Sequence, residues 1–168
     1  MTREESVIFY NTYARKLFNT SFRILHDSGE AEEIMQDTIL KYITSDLKPL
    51  SEAQAGAWLH KTCIRKSIDV LRKKKREQLF IEEYKAGGEE DVSDSPVPLG
   101  ISQGPSIEKV RRAIAELPEK SRLILNLVLL EGLDYEEIAN YTGASEGTIR
   151  VQYSRARAKL AEKLKEAM

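Results

Sequence analysis

The sequence predicts an all-α protein: an N-terminal helical bundle and a C-terminal helix-turn-helix domain, joined by a flexible acidic linker. Three observations lead there. Apolar residues recur at helical spacing almost throughout the 168 residues, and no convincing alternating pattern marks a strand. Glycine and proline crowd one internal segment at Gly87, Gly88, Pro96, Pro98, Gly100, Gly104 and Pro105, a composition typical of linkers rather than packed elements. Charge is also partitioned. Residues 1–76 carry 14 bases and 10 acids, residues 77–108 one base and eight acids, and residues 109–168 11 bases and nine acids. The net charge of −1 hides this, so the distribution says more about partners than the total. The expected boundaries are 1–80, 81–105 and 106–168. Each half is small enough to bury only a modest share of its surface.

The elements follow in order. Tyr10, Ala14, Leu17, Phe18, Ser21, Phe22 and Leu25 make the stripe of a first helix. Ala31, Ile34, Met35, Thr38, Ile39, Tyr42 and Ile43 make a second, by the i, i+3, i+4 rule. "SDLKPLSEAQ" then breaks the pattern at Pro49, with Ser51 placed as an N-cap for a third helix over about Ala55 to Arg76. After the linker, "SIEKVRRAIAEL" puts Ile107, Val110, Ile114 and Leu117 on one face. Pro118 suits the first turn of the next helix, "EKSRLILNLVLLEGL", which Gly132 ends as a left-handed cap. Asp134 and Glu137 have capping-box spacing ahead of "YEEIANYT", which stops at Gly143. Ser145 caps a last helix reaching towards Lys165.

Several function classes fit poorly. Cys63 is alone, so no intramolecular disulfide forms; a free cysteine on an amphipathic stretch is expected to be a small packing residue. With only His26, His60 and Cys63 as nitrogen and sulfur ligands, a zinc site is not expected, nor is any cofactor. No P-loop, paired-histidine motif or nucleophile–base set points to an enzyme. No apolar run nears the roughly 20 residues that span a bilayer, and "MTREESVIFYNTYARK" lacks a signal-peptide core. A cytoplasmic protein without membrane insertion is the expectation.

Two stretches carry the functional signal. "DYEEIANYTGASEGTIRVQYSRARAKL" has the layout of a helix-turn-helix, with Ile138, Ala139, Ile149, Tyr153 and Ala156 where its two helices must touch. After the cap come Arg150, Ser154, Arg155 and Arg157, and arginine's planar fork suits guanine edges and phosphates. The bland reading is a helical hairpin with a solvated basic face. In the third helix, Lys61, Arg65, Arg72 and Arg76 lie within about 60° of one another at 100° per residue. Lys66 and Lys73 flank them, while Ala57, Ile64, Ile68 and Leu71 fall on another sector. Such a helix packs one side and offers the other to a polyanion. Glu33, Gln36, Asp37 and Lys41 lie opposite the apolar stripe of the second helix, and by themselves read as ordinary surface.

Taken together, "YARKLFNTSFRILHDSGEAEEIMQDTILKYI", "WLHKTCIRKSIDVLRKKKR" and "ELPEKSRLILNLVLLEGLDYEEIANYTGASEGTIRVQYSRARAKL" resemble, in order and over nearly the whole chain, the extracytoplasmic-function (group 4) RNA polymerase sigma factors. The resemblance implies a bacterial transcription initiation factor that is not itself an enzyme. Its implied partners are core RNA polymerase, through the clamp helices of the largest subunit and the flap, promoter DNA, and an anti-sigma factor of the kind that often holds such proteins inactive. Glu33, Gln36, Asp37 and Lys41 would contact the clamp helices. Trp58, Lys61, Arg65, Lys66, Arg72, Lys73 and Arg76, with the loop near Ser45–Ser51, would hold the melted minus-ten strand and capture a flipped base. Unstacking that base costs a few kcal/mol. Arg150, Val151, Ser154 and Arg155 would read the minus-thirty-five element, with Ser145, Thr148 and Arg157 nearby and the last two on phosphates.

Two positions depart from the family pattern. Arg65 stands where relatives commonly carry asparagine, seven residues after Trp58, which exchanges a base contact for phosphate attraction. Arg150-Val151-Gln152 replaces the usual small polar residue followed by a base, so base preference is not transferable here. The acidic linker would thread a cationic polymerase channel built for RNA; the plain alternative is a solubilising spacer. The rival to the whole reading is a helix-turn-helix regulator that binds duplex DNA without core polymerase. Such regulators usually carry an α/β receiver, whose strands are not visible in this sequence.

Overall fold

The structure, a computed structural model, describes residues 1–46, 51–75 and 106–166. Arg76, the expected linker 81–105 and most of the loop between Asp46 and Ser51 lie outside these residues. Among the described residues there are seven α-helices and no strand. The chain divides into two compact units, Met1–Lys74 and Lys75–Met168.

The first unit holds α1 (Arg3–Leu25), α2 (Ser28–Thr44) and α3 (Glu52–Lys75). A reciprocal capping box opens α1: the Glu5 amide donates to Thr2 Oγ1 at 3.1 Å, and the Thr2 amide to Glu5 Oε2 at 2.8 Å. His26 ends α1 in the left-handed conformation, φ 52°, its amide donating to the Phe22 carbonyl at 2.8 Å. Asp27 follows at once as the cap of α2, accepting from the Glu30 amide at 3.0 Å. That two-residue junction folds α2 back on α1. Ser51 caps α3 as expected, in a box with Gln54 (3.2 and 3.0 Å), so α3 starts three residues earlier than the apolar pattern suggests.

Leu17, Ile39, Leu59, Ile64 and Ile68 are at most 1% exposed and form the centre of this unit. Each such side chain contributes roughly 1.5–3 kcal/mol by leaving water. Between α1 and α3 the residues are small. Ser67 donates to the Cys63 carbonyl at 2.7 Å, so the 2.8 Å contact between Ser21 and Ser67 takes its proton from Ser21. Cys63 is fully buried against the Leu17 carbonyl at 3.4 Å, a packing residue as expected. Two apolar assignments fail. Phe22 is 39% exposed, and Ala57 is exposed near the start of α3 although it shares a face with the buried Ile64, Ile68 and Leu71.

The second unit comprises α4 (Ile107–Ala115), α5 (Glu119–Leu125), α6 (Tyr135–Thr142) and α7 (Glu146–Glu166). Ser106 caps α4 and Pro118 occupies the N-cap position of α5. Ile107 is expected on the buried face but is 61% exposed, as the first residue of α4. The helix after Pro118 is also less regular than expected: Asn126–Leu130 widen into one π-helical turn, with the Glu131 amide reaching the Asn126 carbonyl at 2.9 Å. Gly132 (φ 73°) and Gly143 (φ 79°) do adopt the left-handed turns that only glycine takes cheaply. The Asp134–Glu137 capping box forms on both sides. α7 packs along α4, α5 and α6, and Leu125, Leu127, Ile138, Ile149 and Leu160 are fully buried between them.

Candidate nucleic-acid and polymerase interfaces

The helix-turn-helix consists of α6, the Gly143–Ser145 turn and α7. The Thr142 hydroxyl donates to the Ile138 carbonyl at 2.8 Å and accepts the Ala144 amide at 3.3 Å, fixing the turn. Ile138, Ile149 and Ala156 are buried at the joint, Ala139 is half-buried, and the Tyr153 ring meets Tyr135 at 5.8 Å. The two helices pack on each other here.

With Ile149, Gln152, Ala156 and Leu160 turned inward, α7 presents Arg150 exposed and Val151, Ser154, Arg155 and Arg157 half-buried. Arg150, Val151 and Ser154 span the middle of the outward side at 100° per residue. Arg155 and Arg157 flank it. Arg155 lines a small pocket with Lys120, Ser121, Gln152 and Lys159. Arg157 lies over the Tyr153 ring at 5.7 Å, and Arg150 over Tyr135 at 5.8 Å. Burial and the neighbouring Tyr135 raise the Tyr153 phenol above its ordinary 10.0, while Arg157 pulls the other way. Thr148 requires a correction. It is 5% exposed, with its amide and hydroxyl both engaged by Ser145 Oγ at 3.1 and 2.8 Å. Capping the helix turns its side chain inward, which leaves little of it for the expected phosphate contact.

On α3 the outward face carries Lys61, Arg65 and Lys73 exposed, with Lys66 and Arg72 half-buried. Asp69 sits exposed among them. Trp58 is half-buried, its ring 5.7 Å from Tyr42, which in turn stacks on Phe9 at 4.9 Å. The ring thus braces the start of α3 with one edge outward. Lys74, inside the five-base run, is committed elsewhere: it pairs with Glu30 at 2.7 Å and lies 3.9 Å from Asp27. The hydrogen bond to Glu30 raises its pKa. Arg76 lies outside the described residues.

On α2, Glu33, Gln36, Asp37 and Lys41 are all exposed along one side, with Gln36 donating to Glu32 at 3.4 Å. Between them stands Leu40, 57% exposed, which the sequence reading missed. Its signal was present: a leucine four residues after Gln36, off the apolar stripe. Leu40 and Gln36 border an open apolar groove of about 410 Å³ whose other wall includes Val7 and Tyr10 of α1. Among the described residues no cluster of three or more His, Cys, Asp or Glu could hold a metal ion, and no helix is long and apolar enough to cross a membrane.

Comparison with known proteins gives this arrangement a context. Residues 9–77 match the family described as sigma-70 region 2, and residues 107–160 match sigma-70 region 4. The ECF RNA polymerase sigma factor SigF of Caulobacter vibrioides is 31% identical over 140 residues, covering 83% of this chain and 73% of that protein. The RNA polymerase sigma factor SigV of Bacillus subtilis is 26% identical over 148 residues, covering 86% of this chain and 81% of the relative. The solved complex of the sigma factor RpoE with the anti-sigma factor NepR from Bartonella quintana aligns over 97% of this chain and 96% of the other, at 23% identity and a TM-score of 0.49. With the α2, α3 and α7 faces in this order along the chain, the protein belongs to the ECF RNA polymerase sigma factors, the sigma-70 family subunits that direct RNA polymerase to promoters.

Proposed function

We propose that the three outward faces divide the work of initiation. Glu33, Gln36, Asp37 and Lys41, with Leu40 among them, dock on the clamp helices of the polymerase largest subunit. Lys61, Arg65, Lys66, Arg72, Lys73 and Arg76, with the outward edge of Trp58 and the loop near Ser45–Ser51, hold the melted minus-ten strand. Arg150, Val151, Ser154 and Arg155 read the minus-thirty-five element in the major groove, while Arg157 meets phosphate and Ser145 with Thr148 secures the start of the helix. The domains 1–80 and 106–168 carry these roles separately. The acidic tether 81–105 occupies a cationic channel of the polymerase, and neutralising Glu82, Glu83, Glu89, Glu90 and Asp91 together weakens holoenzyme formation or alters early transcript release. The C-terminal domain rests on the polymerase flap. The protein acts by binding rather than by catalysing a reaction, in the cytoplasm where the polymerase is. An anti-sigma factor silences it by covering the α2 face.

The observation that carries the reading is the α2 face: Glu33, Gln36, Asp37 and Lys41 are all exposed with Leu40 standing among them. Leu40 borders an apolar groove with Val7 and Tyr10, so this charged row has apolar area at its centre and a polar rim, the layout of an interface. A pull-down with core polymerase tests it. Glu33→Lys with Asp37→Lys, and separately Leu40→Asp, abolish capture while leaving the melting temperature within a few degrees of wild type. Capture at wild-type level by both variants contradicts the assignment of this face. A protein that never binds core enzyme yet holds duplex promoter alone contradicts the reading as a whole.

A further inference from the structure

We propose that Tyr135 and Tyr153 are positioning residues for promoter recognition, their packed rings holding the guanidinium groups of Arg150 and Arg157 in place on α7 before DNA arrives. The inference rests on the reading of α7 as the minus-thirty-five reader. Tyr135 is the first residue of α6, directly after the Asp134 cap, and Tyr153 lies on α7. Their ring centroids are 5.8 Å apart at an interplanar angle of 54°. Arg150 sits over the first ring at 5.8 Å and Arg157 over the second at 5.7 Å. The four side chains thus form one strip, Arg150–Tyr135–Tyr153–Arg157, crossing both helices of the motif.

Core packing does not explain these rings. Ile138, Ile149, Ala156 and Leu160, none more than 1% exposed, already fill the joint, while both tyrosines are half-buried at its rim. What a ring supplies there, and a leucine does not, is a negative face for a cation. An arginine has many rotamers to lose on docking, and a guanidinium already held over a ring loses fewer. Ordering a binding group beforehand is a gain in affinity without a new contact.

The test uses holoenzyme assembled from the full chain and core polymerase, a fluorescent promoter duplex selected by the wild type, and a scrambled duplex. Tyr135→Leu and Tyr153→Leu each weaken promoter binding about two- to five-fold. Tyr135→Phe and Tyr153→Phe keep wild-type affinity, because the ring matters and the hydroxyl does not. Adding Tyr135→Leu to Arg150→Ala costs nothing further. Leucine variants equal to wild type, phenylalanine variants as weak as leucine, or full additivity with Arg150→Ala each overturn the proposal while the reading of α7 stands. If Arg150→Ala and Arg157→Ala themselves bind like wild type, that reading falls and takes the proposal with it. A measurement on the unmutated chain guards against misfolded variants: nitrogen relaxation of the arginine Nε–H groups. Arg150 and Arg157 are more ordered than the exposed Arg111 of α4. Equal mobility overturns the proposal.

Discussion

Arg155 shows how much a single flank decides. It lines a small pocket with Lys120 and Lys159 on one edge of α7. If Arg155 reads a base bidentately, Arg155→Ala costs about 1–3 kcal/mol on the preferred promoter and relaxes selectivity at one base pair. Equal losses on every promoter would place it on phosphate alone. Thr148 is the opposite case. Because its hydroxyl is shared with Ser145 at 2.8 Å, Thr148→Val lowers stability by about 1 kcal/mol in a thermal melt. Promoter affinity per folded molecule does not change, and an equal loss of affinity on every duplex would restore Thr148 to the DNA surface. Tyr153 gives a pH signature. Its pKa is raised above 10.0 chiefly by burial, so the folded state holds the phenol proton longer than the unfolded one. That contribution is complete below pH 10.0 and is lost as pH rises through the folded value. Tyr153→Phe therefore melts with a weaker alkaline decline than wild type; an identical decline would show that the phenol is not desolvated.

Helices place these residues, and α3 is the clearest instance. Its five-base run is not one surface: Lys73 is exposed, whereas Lys74 reaches back to Glu30 at 2.7 Å and ties the end of α3 to the start of α2. Lys73→Gln is expected to reduce the slope of log affinity against log salt by about one, across all sequences, and Lys74→Gln to leave it unchanged. Salt titration of holoenzyme binding distinguishes the two, and equal slopes for both variants would mean that Lys74 also faces DNA. The same helix shows what could be read from sequence. Ser51, Asp134 with Glu137, Gly132, Gly143 and Ser145 were all legible as helix ends, since capping chemistry is local and each needs only a few neighbours. The basic and acidic stripes of α3 and α2 were legible because a 3.6-residue period fixes which side chains share a face. The pairing of Lys74 with α2, the inward turn of Thr148 and the ring strip on α7 were not, because each depends on which helix lies alongside. The π turn at Asn126 and the exposure of Ile107 were hidden for a related reason: a strong apolar pattern does not say where the bundle stops.

At the scale of the whole molecule, the proposed division of work has each of two small helical units gripping polymerase or promoter weakly, with the chain between them raising the effective concentration of the second contact once the first is made. As a member of this family, the protein supplies core polymerase with promoter selectivity. Run-off transcription from a randomised promoter library, with core enzyme alone and with the protein added, tests this. The expected transcripts come from a small subset of templates sharing two sequence blocks at a fixed spacing, and are lost when either Arg150 or Lys73 is replaced together with its neighbours on the same face. A start-site distribution identical to that of core enzyme alone would contradict it.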